Sequence, residues 1–405
     1  MSRLAALAVL ALLALVAPLA AQDKKARNDP TSCPYCGNDP GVMMRAGLVG
    51  HGPFEFGAPD NDTASVGGFL IADVYWLESE HFEIGLALAP YKVPQKEKNK
   101  IRAELTELAE VLPNVDPKAK VLDEWLRLHL FAQRSEKVWD RFLEIMQKDE
   151  DFFPAEGSRW VLGTPYAGEG PYVGQRGKYE VLLLTSEAEH VAFLKEQFGL
   201  SIRRTQRWNV TDPARDTITV TIHLDQGSLK KDTALHGHLA FNLAHNLLDG
   251  YKHYSYDTPL WIHEGLAHFM EREVTTRYNT FDSTEGALAE ETRKSKWIPE
   301  VKKLLSAGDA PRLAELMGLQ SYAAFELRHH FATWSMIDFL IQAHPDGFAC
   351  LNDKLHGRKT PEGYADSANL RDAHRQAFKE CLGMSYAQFD QAWKEWVGAQ
   401  VGRKD

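Results

Sequence analysis

Cysteine is scarce in this 405-residue chain, which holds only Cys33, Cys36, Cys350 and Cys381. A zinc ribbon needs a second Cys-x-x-Cys beside Cys33-Pro34-Tyr35-Cys36, and Cys350 and Cys381 stand too far apart to supply one. A c-type haem attachment needs His where Gly37 stands, and a thioredoxin-like motif needs a strand before it and a helix after it. Long apolar runs are also lacking beyond the N-terminus, which argues against a membrane span in the mature chain. The formal charge is -10 and no Lys/Arg cluster interrupts it, a balance that speaks against nucleic acid and anionic membranes as partners. Neither a G-x-S-x-G nor a P-loop is present, and there is no internal repeat. Gly163 to Gly177 is glycine-rich but lacks a strand-turn-helix setting for phosphate, so it reads as a surface loop.

What is present begins with Arg3, the apolar run Leu4 to Val16, Pro18 and the small residues Ala20-Ala21. This is the pattern of a signal peptide over residues 1–21, and it predicts export to a periplasm or the extracellular space. In an oxidising compartment disulfides are the expected state of the cysteines, with pairing left open. Cys33-Pro34-Tyr35-Cys36-Gly37 also resembles a zinc knuckle or a redox motif. Residues 22 to about 70 read as poorly ordered, rich in Gly, Pro, Asp and Asn, with short strands following up to residue 95. A helical hairpin is predicted over 96–150. Ile101, Leu105, Leu108 and Leu112 share one face of its first helix, and Leu122, Trp125, Leu126, Val138, Phe142 and Ile145 form the stripe of the second.

Tyr179 to Thr185 and Thr217 to Leu224 read as strands, and Ser186 to Phe198 as a helix capped by Ser186. From about Lys231 the pattern is helical almost without interruption. The fold class is therefore α+β, mostly helical, with a small sheet followed by packed helices.

The segment Trp261-Ile262-His263-Glu264-Gly265-Leu266-Ala267-His268 imitates H-E-x-x-H, but its histidines are five apart. Five residues rotate a helical side chain by about 500°, leaving the two about 140° apart, so they do not clasp one ion. Trp261-x-x-Glu264-Gly265-x-Ala267 instead resembles the segment that carries the third zinc ligand of gluzincin metallopeptidases, which lies nineteen residues after the second His of H-E-x-x-H. Nineteen residues before Glu264 stands His245, in the amphipathic stretch His238 to Leu248. The expected motif thus falls on Phe241-Asn242-Leu243-Ala244-His245, with Phe241 in place of a ligand and Asn242 in place of the general base. His330 to Leu340 resembles the Y-x-x-x-W helix of secreted peptidase-MA-like proteins, with His330 at the Tyr position. Phe389 to Val397 resembles their C-terminal W-x-x-W/Y helix. The resemblance covers roughly 175–400 and implies a zincin-like domain over 151–400.

An active site of that kind needs a tightly held ion, an open coordination position and a base for the bound water. An amide takes no proton near neutral pH, so Asn242 cannot serve as the base. The resemblance therefore implies a catalytically degenerate homologue that uses its cleft to bind a protein or peptide, with no cofactor. The alternative is an active zinc peptidase with rearranged ligands His245, Glu264 and His268; His236, His329 and His330 are spare donors and His263 points elsewhere. A third reading is an envelope scaffold acting through an exposed apolar patch on the helical hairpin.

Overall fold

The computed structural model describes residues 29–211, 215–254, 258–284, 286–291 and 296–400. The predicted signal peptide lies outside them. Along the chain run α1 (Pro40–Arg45), β1 (Leu48–Gly50), α2 (Thr63–Phe69), β2 (Tyr75–Ser79), β3 (Phe82–Leu86), β4 (Tyr91–Lys92), α3 (Lys98–Val111), β5 (Val121–Leu122) and α4 (Glu124–Met146). The middle holds β6 (Tyr179–Leu184), α5 (Glu187–Phe198), β7 (Gln206–Val210), β8 (Thr217–His223), α6 (Asp232–Gly250) and α7 (Leu260–Val274). Next come β9 (Tyr278–Ser283), β10 (Gly286–Glu291), α8 (Trp297–Ala307), α9 (Leu313–Leu316), α10 (Leu327–Ala343), α11 (Pro345–Leu355), α12 (Leu370–Leu382) and α13 (Tyr386–Ala399).

One six-stranded mixed sheet, in the order β1-β2-β3-β6-β8-β7, organises the molecule. β6 is buried along its whole length and pairs in parallel with both β3 and β8, as an apolar Val-Leu-Leu-Leu run favours. β7 closes one edge antiparallel to β8. Half of this sheet comes from residues 48–86, where the sequence predicts poor order up to about residue 70 and short strands after it. Those residues are ordered because Phe82, Ile84 and Leu86 on one strand and Leu77 on the next need a partner layer, which α4 supplies.

α4 starts where Asp123 accepts a hydrogen bond from the Leu126 amide and stops at Gln147, in a left-handed conformation. Its Trp125, Leu128, Phe131, Trp139 and Phe142 are buried against the sheet and α6. The apolar stripe of the predicted hairpin is therefore core. Within residues 97–150 the only exposed large hydrophobic residue is Val121, so the scaffold reading loses the patch it needed. Arg134 of α4, 1% exposed, grips Asp232 at the start of α6 through two bonds of 3.0 and 2.6 Å and reaches Glu104 of α3 at 2.8 Å. The glycine-rich stretch is no surface loop throughout: Gly174 backs onto Lys252 and His253 so closely that a Cβ there meets backbone at 2.7 Å.

The helical half is interrupted by the β9–β10 hairpin, where sequence reading continued the helices. Thr275 to Phe281 is β-branched and aromatic, and Gly286 supplies the left-handed turn residue (φ 107°). Cys350 and Cys381 form a disulfide that joins α11 to α12, while Cys33 and Cys36 are free and buried. Among the described residues no helix is long and apolar enough to cross a membrane.

The packing of α7 on α10 depends on Gly265, where a Cβ would sit 2.4 Å from Ile337 and 2.7 Å from the Thr333 carbonyl. Backbone cannot yield as a side chain does, so Gly265→Ala loses more by overpacking than the roughly 1 kcal/mol it gains in helix propensity. A net loss of about 1–2 kcal/mol is expected, measured as a lower midpoint in chemical denaturation; an unchanged or raised midpoint contradicts this packing.

Candidate functional site

α6 is buried on nearly every side, so its polar side chains must be satisfied from within the protein. His238 is satisfied fully, with Nδ1 2.9 Å from Thr280 Oγ1 and Nε2 2.8 Å from Thr205 Oγ1. It has no nitrogen left for a metal. Asn242 is equally occupied: its Nδ2 donates to the His238 carbonyl at 2.7 Å, and its Oδ1 accepts from Arg207 at 2.7 Å. Phe241 is fully buried, with its ring centroid 4.8 Å from that of His245 and 5.2 Å from that of His268.

α7 packs against α6 and brings Glu264 to His245, with Oε1 3.8 Å from Nε2. This separation is too long for a hydrogen bond. Among the described residues neither atom finds a hydrogen-bond partner. Asp282 of β9 comes from the other side, with Oδ2 3.6 Å from the same His245 nitrogen. His245, Glu264 and Asp282 thus converge, all fully buried.

His268 does not complete that group. It faces the other oxygen of Glu264: His268 Nε2 lies 3.1 Å from Oε2, and His330 Nδ1 lies 3.0 Å from it. His268 and His330 are themselves 3.0 Å apart. Glu264 therefore stands between two clusters, His245–Asp282 on one side and His268–His330 on the other, and the set His245, Glu264, His268 is split across its carboxylate. The helix bearing His330 delivers it to Glu264. Of the spare donors, His236 lies by Glu104 and His329 caps its own helix at Glu326. His263, expected to point away, stacks on His245 with centroids 5.5 Å apart.

Arg207 of β7 controls the charge. Its guanidinium binds Asp282 in a fork, at 3.1 and 2.5 Å, while also holding Asn242. Burial and this neighbouring cation hold the His245 imidazole well below its ordinary range, so it is neutral. Burial opposes ionisation of Glu264, but the hydrogen bonds from His268 and His330 outweigh it and keep the carboxyl well below the usual value. Burial likewise opposes protonation of His268, yet Glu264 and Glu271 together raise it.

A cavity of about 310 Å³ lies beside this site, lined by Arg207, Trp208 and Asn209 of β7 and by Asp249, His263 and Tyr322. The His245 ring lies behind His263 and Tyr322, and is 1% exposed. Sequence reading missed Arg207, Asp249, Asp282 and Tyr322. Only the alternation in Thr275 to Phe281 hinted at the strand that carries Asp282. No protein-family model matches the chain, and no curated protein matches it in sequence.

The donor set suits a catalytic zinc poorly. Of the three converging groups, one carboxylate is already neutralised by a guanidinium, and the residue at the base position is an amide with both ends engaged.

The protonation of this cluster sets a pH window. His268 has a folded value above 6.5, so its contribution to stability is complete below about pH 6.5 and is lost as pH rises through the folded value. Glu264 has a folded value below 4.5, so its contribution is present above pH 4.5 and is lost as pH falls through the folded value. Unfolding free energies measured from pH 4.5 to 9 for the parent and His268→Gln should converge at alkaline pH and separate towards pH 6. Parallel curves contradict the assignment.

Proposed function

We propose that this chain is an exported, gluzincin-like protein that has lost peptide hydrolysis and binds an extended peptide segment in the cleft beside β7. The observation that carries the reading is the Arg207 guanidinium clamped between Asn242 and Asp282 beside His245 and Glu264. A fixed cation there opposes a second, doubly charged cation a few ångströms away, and it offsets the acidic charge that would attract one. The spacing of His245 and Glu264, their meeting across α6 and α7, and the arrival of His330 at Glu264 support the gluzincin-like part.

The binding part rests on the sheet. Among the described residues β7 is an edge strand that pairs along its length with β8, its start at Thr205 is bridged to Ala287 of β10, and its residues 206–209 line the cavity. An extended peptide can add to such an edge through main-chain hydrogen bonds, with neighbouring pockets selecting alternate side chains. Leu260 and Tyr322 offer apolar and polar surface to those side chains, and Asp249 with Arg207 offers charge of both signs.

Two measurements test this. A peptide-display library panned on the purified protein should enrich extended sequences, and Leu260→Ala with Tyr322→Ala should weaken their binding by about tenfold, or about 1.4 kcal/mol. Enrichment that is indifferent to both changes sinks the cleft as the binding site. Elemental analysis with a casein-hydrolysis assay addresses the catalytic alternative: hydrolysis that a chelator abolishes, with zinc lost on His245→Ala, would establish the peptidase instead.

Restoration probes the register directly. Phe241→His with Asn242→Glu rebuilds H-E-x-x-H nineteen residues before Glu264, and Arg207→Met removes the cation that would otherwise seize the new carboxylate. The triple variant should bind zinc at least about tenfold more tightly than the parent through a completed ligand set, at a cost of about 1–3 kcal/mol for polar groups entering a buried site. If it folds and binds no more zinc than the parent, His245 and Glu264 are not two members of such a site.

A further inference from the structure

Far along the sheet from the cleft, four side chains from three segments converge: Cys33 and Cys36 before α1, His51 just after β1, and His129 in α4. Their donor atoms all lie within 4.8 Å of one another. Cys33 Sγ is 3.0 Å from His129 Nε2, and Cys36 Sγ is 3.1 Å from His51 Nε2. Ligands at 2.0–2.3 Å from a tetrahedral ion sit roughly 3.3–3.8 Å apart, so an opening of a few tenths of an ångström admits one. Both cysteines and His129 are buried and His51 is half-buried, which leaves one side for entry.

The surroundings are those of a formed site. The Cys33-Pro34-Tyr35-Cys36-Gly37 segment turns tightly: the Gly37 amide donates to the Cys33 carbonyl at 2.9 Å, and the Cys36 amide approaches Cys33 Sγ at 3.5 Å. Gly37 (φ 62°) and Asn38 (φ 52°) take left-handed conformations, and Asn38 Oδ1 accepts from the Cys33 amide. Such a turn points both sulfurs to one side. His51 Nδ1 donates to the Trp76 carbonyl at 3.1 Å, which fixes the tautomer and leaves the Nε2 lone pair facing inwards. Trp125 packs edge-on against His51, and Tyr35 against His129. Tyr35 in turn donates to Asp123, the cap of α4.

We propose that Cys33, Cys36, His51 and His129 form a structural zinc site that fastens the N-terminal segment to α4. Two thiolates and two neutral imidazoles are a closed tetrahedral set for a borderline-soft dication, and four protein ligands leave no position for substrate. The site is distinct from the His245–Glu264 cluster and holds whether or not the cleft binds a peptide. It also accounts for a pair of cysteines that stay unlinked while Cys350 and Cys381 are joined.

The test uses the full mature chain, reduced and supplied with zinc, then freed of excess metal. One zinc per chain is expected, unchanged in His245→Ala and lost in Cys36→Ser. Cobalt in its place should give intense tetrahedral ligand-field bands with thiolate-to-cobalt charge transfer. Because Cys36→Ser removes folding energy as well as a ligand, His51→Cys serves as the second variant: it should keep one metal and raise the charge-transfer intensity by about half, as a third thiolate joins two. Three results would overturn the proposal: reduced protein that takes up no zinc, zinc that leaves with His245→Ala while the cobalt derivative lacks thiolate charge transfer, or a Cys33–Cys36 disulfide that reforms in the presence of zinc.

Discussion

The burial of α6 is the constraint on which the rest of the molecule depends. A helix covered by the sheet, α4, α7 and the β9–β10 hairpin cannot send its polar side chains to water, so each neighbour must bring a partner. α4 brings Arg134 for Asp232, the hairpin brings Thr280 for His238, and β7 brings Arg207 for Asn242. α7 brings Glu264 opposite His245. The candidate site is thus one part of a larger set of inward-facing polar contacts that fixes how α4, α7, β7 and the β9–β10 hairpin sit around one helix.

Within that set the charges alternate in a definite way. Glu264 is held ionised by two imidazoles, and Arg207 by Asp282, while His245 stays neutral between them. Low dielectric makes every such pairing costly to break by removing one member, and much less costly to exchange as a whole for apolar groups. Arg207, with its fork on Asp282 and its bond to Asn242, is the fixed cation of this set.

Much of the helical frame was legible in the sequence because apolar periodicity and caps agree there. The helices over 98–111 and 124–146, the Ser186 cap, and the strands at 179–184 and 217–223 lie within a few residues of their expected bounds. The facing of His245 and Glu264 was legible as well, since the spacing and the two helices fix it together. Three things were not. The β2–β3 pair belongs to the same sheet as β6, but strand partners far apart in sequence leave no local trace. The β9–β10 hairpin interrupts a run of helices, and with it Asp282 was missed. His51 and His129 sit in an unstructured-looking stretch and on a core helix, and no spacing rule joins them to Cys33 and Cys36. The sheet partner of β3 and the Cys–His convergence are long-range contacts, which composition and period do not encode, whereas the hairpin is local and its β-branched and aromatic run is short beside the helices around it.

The parallel pairing of β3 with β6 carries a consequence for how the chain reaches its native form. β2 and β3 make a hairpin from neighbouring residues, but the other edge of β3 waits for Tyr179–Leu184. During synthesis that apolar edge is complete long before its partner exists, and an unpaired strand edge is a template for association with other chains. α4 follows β3 after β4, α3 and β5 and covers one face of it, which shields side chains but leaves the backbone edge open. Closing this loop costs chain entropy, and the β3–β6 pairing is a non-local contact of the kind that slows folding.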